Sequence, residues 1–167
     1  MSLNAAVVPV ELGADGRLGV PEDGRSAGWW KDTAPPGSRR GTTVIAGHVD
    51  TRRGAAVFAP LIRARTGDLV EVTTAAATFD YRVRAVTVRR GDALPTELFR
   101  TGGPPRLVLI TCTGPYQPGS GYRDRLYIDA APVQTTPPRR DRTAQPPRRL
   151  DQSLSASMSS MMGRKPR

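Results

Sequence analysis

A single cysteine and a single histidine occur in 167 residues. One thiol excludes an intramolecular disulfide, so cysteine usage leaves the redox compartment open and permits a free catalytic thiol outside the cell. Long apolar runs are missing as well. No stretch approaches the 18 or so residues of a membrane-spanning helix, and Met1 to Leu12, interrupted by Pro9 and without a basic leader, does not read as a signal peptide. As written, the chain is expected to be soluble. Apolar residues make up 38%, while 17 Gly and 16 Pro supply turns, a composition that disfavours long helices and suits short strands. The fold expected is mostly β.

What is abundant is positive charge, and it is uneven. From Val133 to Arg167 eight Lys and Arg face two acidic residues, net +6, against net +4 for Met1 to Pro132. The expected organisation is a folded unit at 1–132 and a disordered basic tail at 133–167, whose Pro-Pro-Arg-Arg repeats and Ser/Met stretch lack the apolar surface to offset chain entropy. A basic tail raises a nucleic-acid reading. It contains no aromatic residue to stack on bases, and the chain shows no helix-turn-helix or zinc motif. The expectation is therefore no nucleic-acid partner.

Ala5 to Leu12 reads as a strand, Asp15-Gly16 as a turn and Arg17 to Val20 as an extended piece. Gly24 to Gly41, with Trp29-Trp30 and Pro35-Pro36, reads as an irregular connection. Thr42 to Ala46 is a β-branched strand ending at His48. Ala56 to Arg63 has helical spacing. Leu69 to Thr74 is a strand, and Thr78 to Arg89 alternates, with Phe79, Tyr81, Val83 and Ala85 on one face. A helical turn over Asp92 to Phe99, the strand Leu107 to Cys112 and a last strand Leu126 to Ala130 complete the list. Short strands with little helix predict a closed or nearly closed barrel.

Cys112 ends the apolar run from Arg106, just before Thr113-Gly114-Pro115-Tyr116, and His48 ends Thr42-Thr43-Val44-Ile45-Ala46-Gly47. Each sits where a strand leaves the core for a loop, a common address for catalytic groups. A lone Cys is most often a small buried hydrophobe and a lone His a hydrogen-bonded structural residue. Together they can do more, since a thiol nucleophile needs a group to manage protons near neutrality and His is that group.

Thr43-Val44-Ile45-Ala46-Gly47-His48-Val49-Asp50, then Phe58 and Leu61 ahead of Gly67-Asp68, then Leu109-Ile110-Thr111-Cys112, then Gly121-Tyr122-Arg123-Asp124 resemble a sortase. With Asp15-Gly16, Gly28-Trp29-Trp30 and Pro36-Gly37, the chain is similar to the class E/F sortases of high-GC Gram-positive bacteria from about Val7 to Ala130. The resemblance implies a cysteine transpeptidase, or hydrolase, that cleaves a Leu-Pro-x-Thr-Gly-like sorting signal through a thioacyl intermediate. It passes the signal to an amine of the cell wall, on the outer face of the envelope, without metal or cofactor. It implies Cys112 as nucleophile, His48 as general acid then base, and an arginine to hold the oxyanion.

Alignment on Tyr122-Arg123-Asp124 assigns that role to Arg123, the residue expected to carry it, with Arg125 the alternative on counting back from Ala130 by analogy with other sortase classes. Thr111, one residue from Cys112 in an alternating strand, is expected to face away from it and shape the strand. Asp50 could orient the imidazole, though a loop Asp is more often a turn-former. The chain departs from the family in lacking a membrane anchor and the usual first strand, and in its basic tail. A chain truncated at the N-terminus or a mis-started reading frame is the expectation, with an open sheet edge. Two other classes compete: an inactive sortase-like module that binds peptides, and a basic nucleic-acid-binding protein with an incidental thiol. Reaction of Cys112 with an alkylator in a His48-dependent way discriminates them.

Overall fold

Nine strands hold about half of the described residues. A computed structural model describes residues 3–13, 19–91 and 93–133. They are β1 (Ala6–Val10), β2 (Ser26–Trp30), β3 (Thr42–Ala46), β4 (Asp50–Thr51), β5 (Gly54–Ala55), β6 (Leu69–Thr73), β7 (Thr78–Arg90), β8 (Arg106–Gln117) and β9 (Gly121–Pro132), with 3₁₀ helices at Ala59–Arg63 and Thr96–Phe99. Seven strands form one curled sheet in the order β1-β2-β3-β8-β9-β7-β6, while β4 and β5 make a separate hairpin. The chain is mostly β as expected, and the curled sheet forms a half-barrel, which fits the nearly closed form of the barrel expected. The turn at Asp15-Gly16, Arg17, Asp92 and the tail from Gln134 lie outside the described residues. No helix among the described residues is long and apolar enough to cross a membrane.

The sheet centres on β3 and β8, which run parallel with Thr42 opposite Arg106 and Ala46 opposite Ile110. Strands covered on both faces read as continuous apolar runs rather than alternating ones. Accordingly every residue of β3 is buried, as are Leu107 to Thr111 of β8. One face builds the larger core from Ile45, Leu107, Leu109, Leu126 and Ile128, with Phe58 and Leu61 laid over it. The other builds a smaller core from Trp30, Val44, Ala46, Val108, Ile110 and Tyr127, closed by Leu98.

Four elements differ from expectation. Ser26 to Trp30, read as part of a connection, is β2, paired in parallel with β1 and antiparallel with β3. Its alternation is hidden by Gly28, where a Cβ would lie 2.7 Å from the side chain of Val10; the close approach of β1 excludes a side chain there. Ala56 to Phe58 are not helical, because their N–H groups bond outward to the carbonyls of Val49, Gly24 and His48, and the helix is a 3₁₀ piece starting at Ala59 with Pro60 in its first turn.

In β7 the alternation breaks at a bulge between Val83 and Ala85. Past that point Val86 rather than Ala85 continues the row of Phe79, Tyr81 and Val83 against the larger core, as an extra residue in a bulge requires. Finally, Cys112 does not end its strand. Thr113 to Tyr116 continue β8, and β9 is equally long, so the two form a hairpin to Gln117–Gly121 with an irregularity between Thr113 and Tyr116.

Among the described residues β1 and β6 each have one sheet partner. Between these edges lies a cavity of about 620 Å³, lined by Leu3 and Ala5 on one side, Val70 and Val72 on the other, and Ile45 and Phe58 beneath.

Candidate functional site

The position of His48 follows from the β3–β8 ladder. Beyond the Ala46–Ile110 pair, the Gly47 N–H donates to Ile110 O at 3.1 Å, so the parallel register continues past the end of β3. His48 and Cys112 lie two residues beyond that pair, on neighbouring strands spaced about 4.8 Å apart. Both are half-buried. Their face is set by alternation: Val44 and Ala46 on β3, and Val108 and Ile110 on β8, all belong to the smaller core, and the next residue of that parity is His48 in one case and Cys112 in the other.

Two contacts fix the Gly47–His48 corner. A Cβ on Gly47 would lie 2.7 Å from the Phe58 ring, so glycine lets the chain turn against a buried aromatic. The Phe58 N–H in turn donates to His48 O at 3.0 Å, closing the loop behind the histidine. Thr111 is buried, and its hydroxyl donates to Gly47 O at 2.8 Å; facing away from Cys112, it ties the strand of Cys112 to the residue before the histidine. Thr111→Val keeps the shape but leaves that carbonyl without its donor, and is expected to cost about 1–3 kcal/mol in denaturant unfolding.

The arginines separate clearly. In the antiparallel β8–β9 register Arg125 lies directly opposite Cys112, where cross-strand Cβ atoms are about 5 Å apart on the same face. It is half-buried, and its Nη1 donates to the carbonyls of Tyr122 at 2.8 Å and Asp124 at 3.1 Å, which holds the guanidinium in one orientation. Arg123 lies two residues nearer the hairpin tip, exposed on 40% of its side chain, with Nε 3.4 Å from Asp124 Oδ1. The structure thus places Cys112 on β8, Arg125 opposite it on β9 and His48 two residues past the end of neighbouring β3, and leaves Arg123 farther along. Arg125 stands opposite Cys112 because the β8–β9 register runs without a shift from Leu107–Ala130 to Cys112–Arg125.

Tyr122 went unremarked in sequence except as part of an alignment element. Its hydroxyl donates to the carboxylate of Asp50 on the β4 hairpin, and its ring meets Tyr116 edge to face, centroids 5.3 Å apart, across the β8–β9 hairpin. The Asp50 hydrogen bond is the main reason the Tyr122 hydroxyl is pushed up to about 12, with desolvation next and negative charge on Asp50, Cys112 and Tyr116 adding in the same direction. It remains a donor throughout the neutral range. Among the described residues no group of three His, Cys, Asp or Glu side chains could hold a metal ion.

Comparison with known proteins agrees with this architecture. Sortase C-1 from Actinomyces oris is 28% identical, aligned over 65% of this chain and 59% of its own, with a TM-score of 0.54. Sortase A from Corynebacterium diphtheriae is 26% identical over 66% and 49%, TM-score 0.54. Sortase C2 of the Group B Streptococcus pilus island 1 shares the fold at 24% identity over 65% and 59%, TM-score 0.54. The chain thus spans between about half and three fifths of the length of these relatives. No curated protein sequence matches it. The family model of the sortase domain matches residues 1–133, and on that match the chain belongs to the sortase family.

Proposed function

We propose that this chain is a cysteine transpeptidase acting on sorting signals of exported proteins, of the class E/F type. The observation that carries the reading is the register: Cys112 on β8 lies between the position of His48, continued from β3, and Arg125 on β9. A thiol flanked by a proton donor and acceptor on one side and a fixed cation on the other has the parts acyl transfer needs.

The Cys112 sulfur, as thiolate, attacks the carbonyl carbon between Thr and Gly of a Leu-Pro-x-Thr-Gly-like signal. The carbonyl π electrons move to oxygen, and the guanidinium of Arg125 stabilises the resulting charge. Collapse re-forms the carbonyl and breaks the C–N bond, with the imidazolium of His48 giving its proton to the leaving glycine amine. Neutral His48 then takes a proton from an incoming amine as that nitrogen attacks the thioester, and the thiolate departs. The acceptor is an amine of the cell wall, on the outer face of the envelope, and water in its place gives hydrolysis. The basic segment 133–167 stands outside this catalytic unit.

Incubation with a Leu-Pro-x-Thr-Gly peptide, followed by acid quench and mass spectrometry, should show the chain heavier by the acyl portion up to Thr. Triglycine should then release it as a new peptide. An unmodified thiol after exposure to a panel of such signals would sink this reading.

A further inference from the structure

The ladder between the two catalytic strands stops at Gly47. Farther out, the loop after His48 folds into the β4–β5 hairpin, with Asp50 opposite Ala55. Beyond Cys112 strand β8 runs on along the β8–β9 hairpin, with Tyr116 opposite Tyr122. These two hairpins carry the proton-transfer group and the nucleophile at their bases, so their relative position bears on the gap in which a peptide bond would react. The Tyr122–Asp50 hydrogen bond joins them, 72 residues apart in sequence.

We propose that Tyr122 and Asp50 form a strut that sets the spacing of His48 and Cys112, acting as positioning residues rather than touching the reacting atoms. Three observations support it. A hydroxyl donating to a carboxylate is among the stronger hydrogen bonds available between side chains. The Tyr122 ring is braced from behind by Tyr116, so the hydroxyl is not carried on a freely turning side chain. Tyr122 also lies close enough to Cys112 for charge on the sulfur to be felt at its hydroxyl, which places the link beside the nucleophile. Asp50 is thereby committed to Tyr122, and its effect on His48 runs through the backbone of Val49.

The proposal rests on the transpeptidase reading for its kinetic test. Misplacing reacting groups by a fraction of an ångström to an ångström costs up to about 10²-fold, so Tyr122→Phe and Asp50→Ala are each expected to lower kcat by on the order of 10-fold with KM nearly unchanged. The double variant should be no worse than the poorer single, because both remove one bond. Asp50→Asn, whose amide oxygen still accepts from the tyrosine, should recover most of the rate. Full activity in Tyr122→Phe, effects that multiply in the double variant, or a change confined to KM would each overturn the strut.

If the unaltered chain cleaves no signal peptide, the transpeptidase reading fails and the strut is judged separately by the rate at which iodoacetamide alkylates Cys112. That rate should shift by the same factor in Tyr122→Phe and Asp50→Ala and return in Asp50→Asn. Equal rates in all four proteins would refute it. Should Asp50→Ala lose its fold, Tyr122→Phe against Asp50→Asn decides.

Discussion

Cys112→Ala is expected to reduce both cleavage and transfer of a sorting-signal peptide by at least about 10³-fold, because loss of a covalent nucleophile removes the whole two-step path and leaves residual binding and charge stabilisation only. No other thiol exists in the chain to substitute. The fold should survive, since the side chain is half-buried and the backbone bonds of β8 to β3 and β9 do not involve sulfur. Melting temperature and far-UV circular dichroism measured alongside kcat/KM check this. Turnover by the alanine variant above about a hundredth of the original would rule out a thiol mechanism.

The second large effect separates two arginines that sequence leaves in competition. Arg125→Ala is expected to lower kcat by on the order of 10²-fold or more, the usual scale for removing a donor to a developing oxyanion. Arg123→Ala, on an exposed side chain paired with its neighbour Asp124, should change kcat by less than about threefold, as surface ion pairs contribute little. Arg125→Lys should recover little, because a flexible ammonium does not reproduce the planar fork held by the carbonyls of Tyr122 and Asp124. Measured side by side on the same peptide, a larger loss in Arg123→Ala would transfer the role to the exposed residue.

Much of this was legible in the residues alone, for reasons that can be named. The β-branched run Thr42 to Ala46 and the apolar run Leu107 to Thr111 announce buried strands because a strand covered on both faces reads as a continuous apolar run, and the structure pairs them in parallel with His48 and Cys112 just past the shared register. Arg125 was harder. Its place opposite Cys112 depends on how β8 and β9 pair, in an unbroken register from Leu107–Ala130 to Cys112–Arg125, and pairing between strands leaves no mark in either one. The β2 strand escaped notice because Gly28 serves the packing of Val10 rather than any local preference. The Asp50–Tyr122 contact joins residues whose separate signals, a turn former and an aromatic, have nothing in common until the hairpins meet.

Strand β8 is the middle one of seven, three neighbours from either free edge. Edge strands open and reclose by local fluctuation, whereas the centre of a sheet releases its amides only when the domain unfolds as a whole. Amide hydrogens around Cys112 should therefore be among the last to exchange with solvent, while those of β1 and β6 go early. Heat or urea would fray the rim of this protein long before disturbing Cys112, and under the proposed mechanism loss of activity should coincide with the global transition rather than precede it.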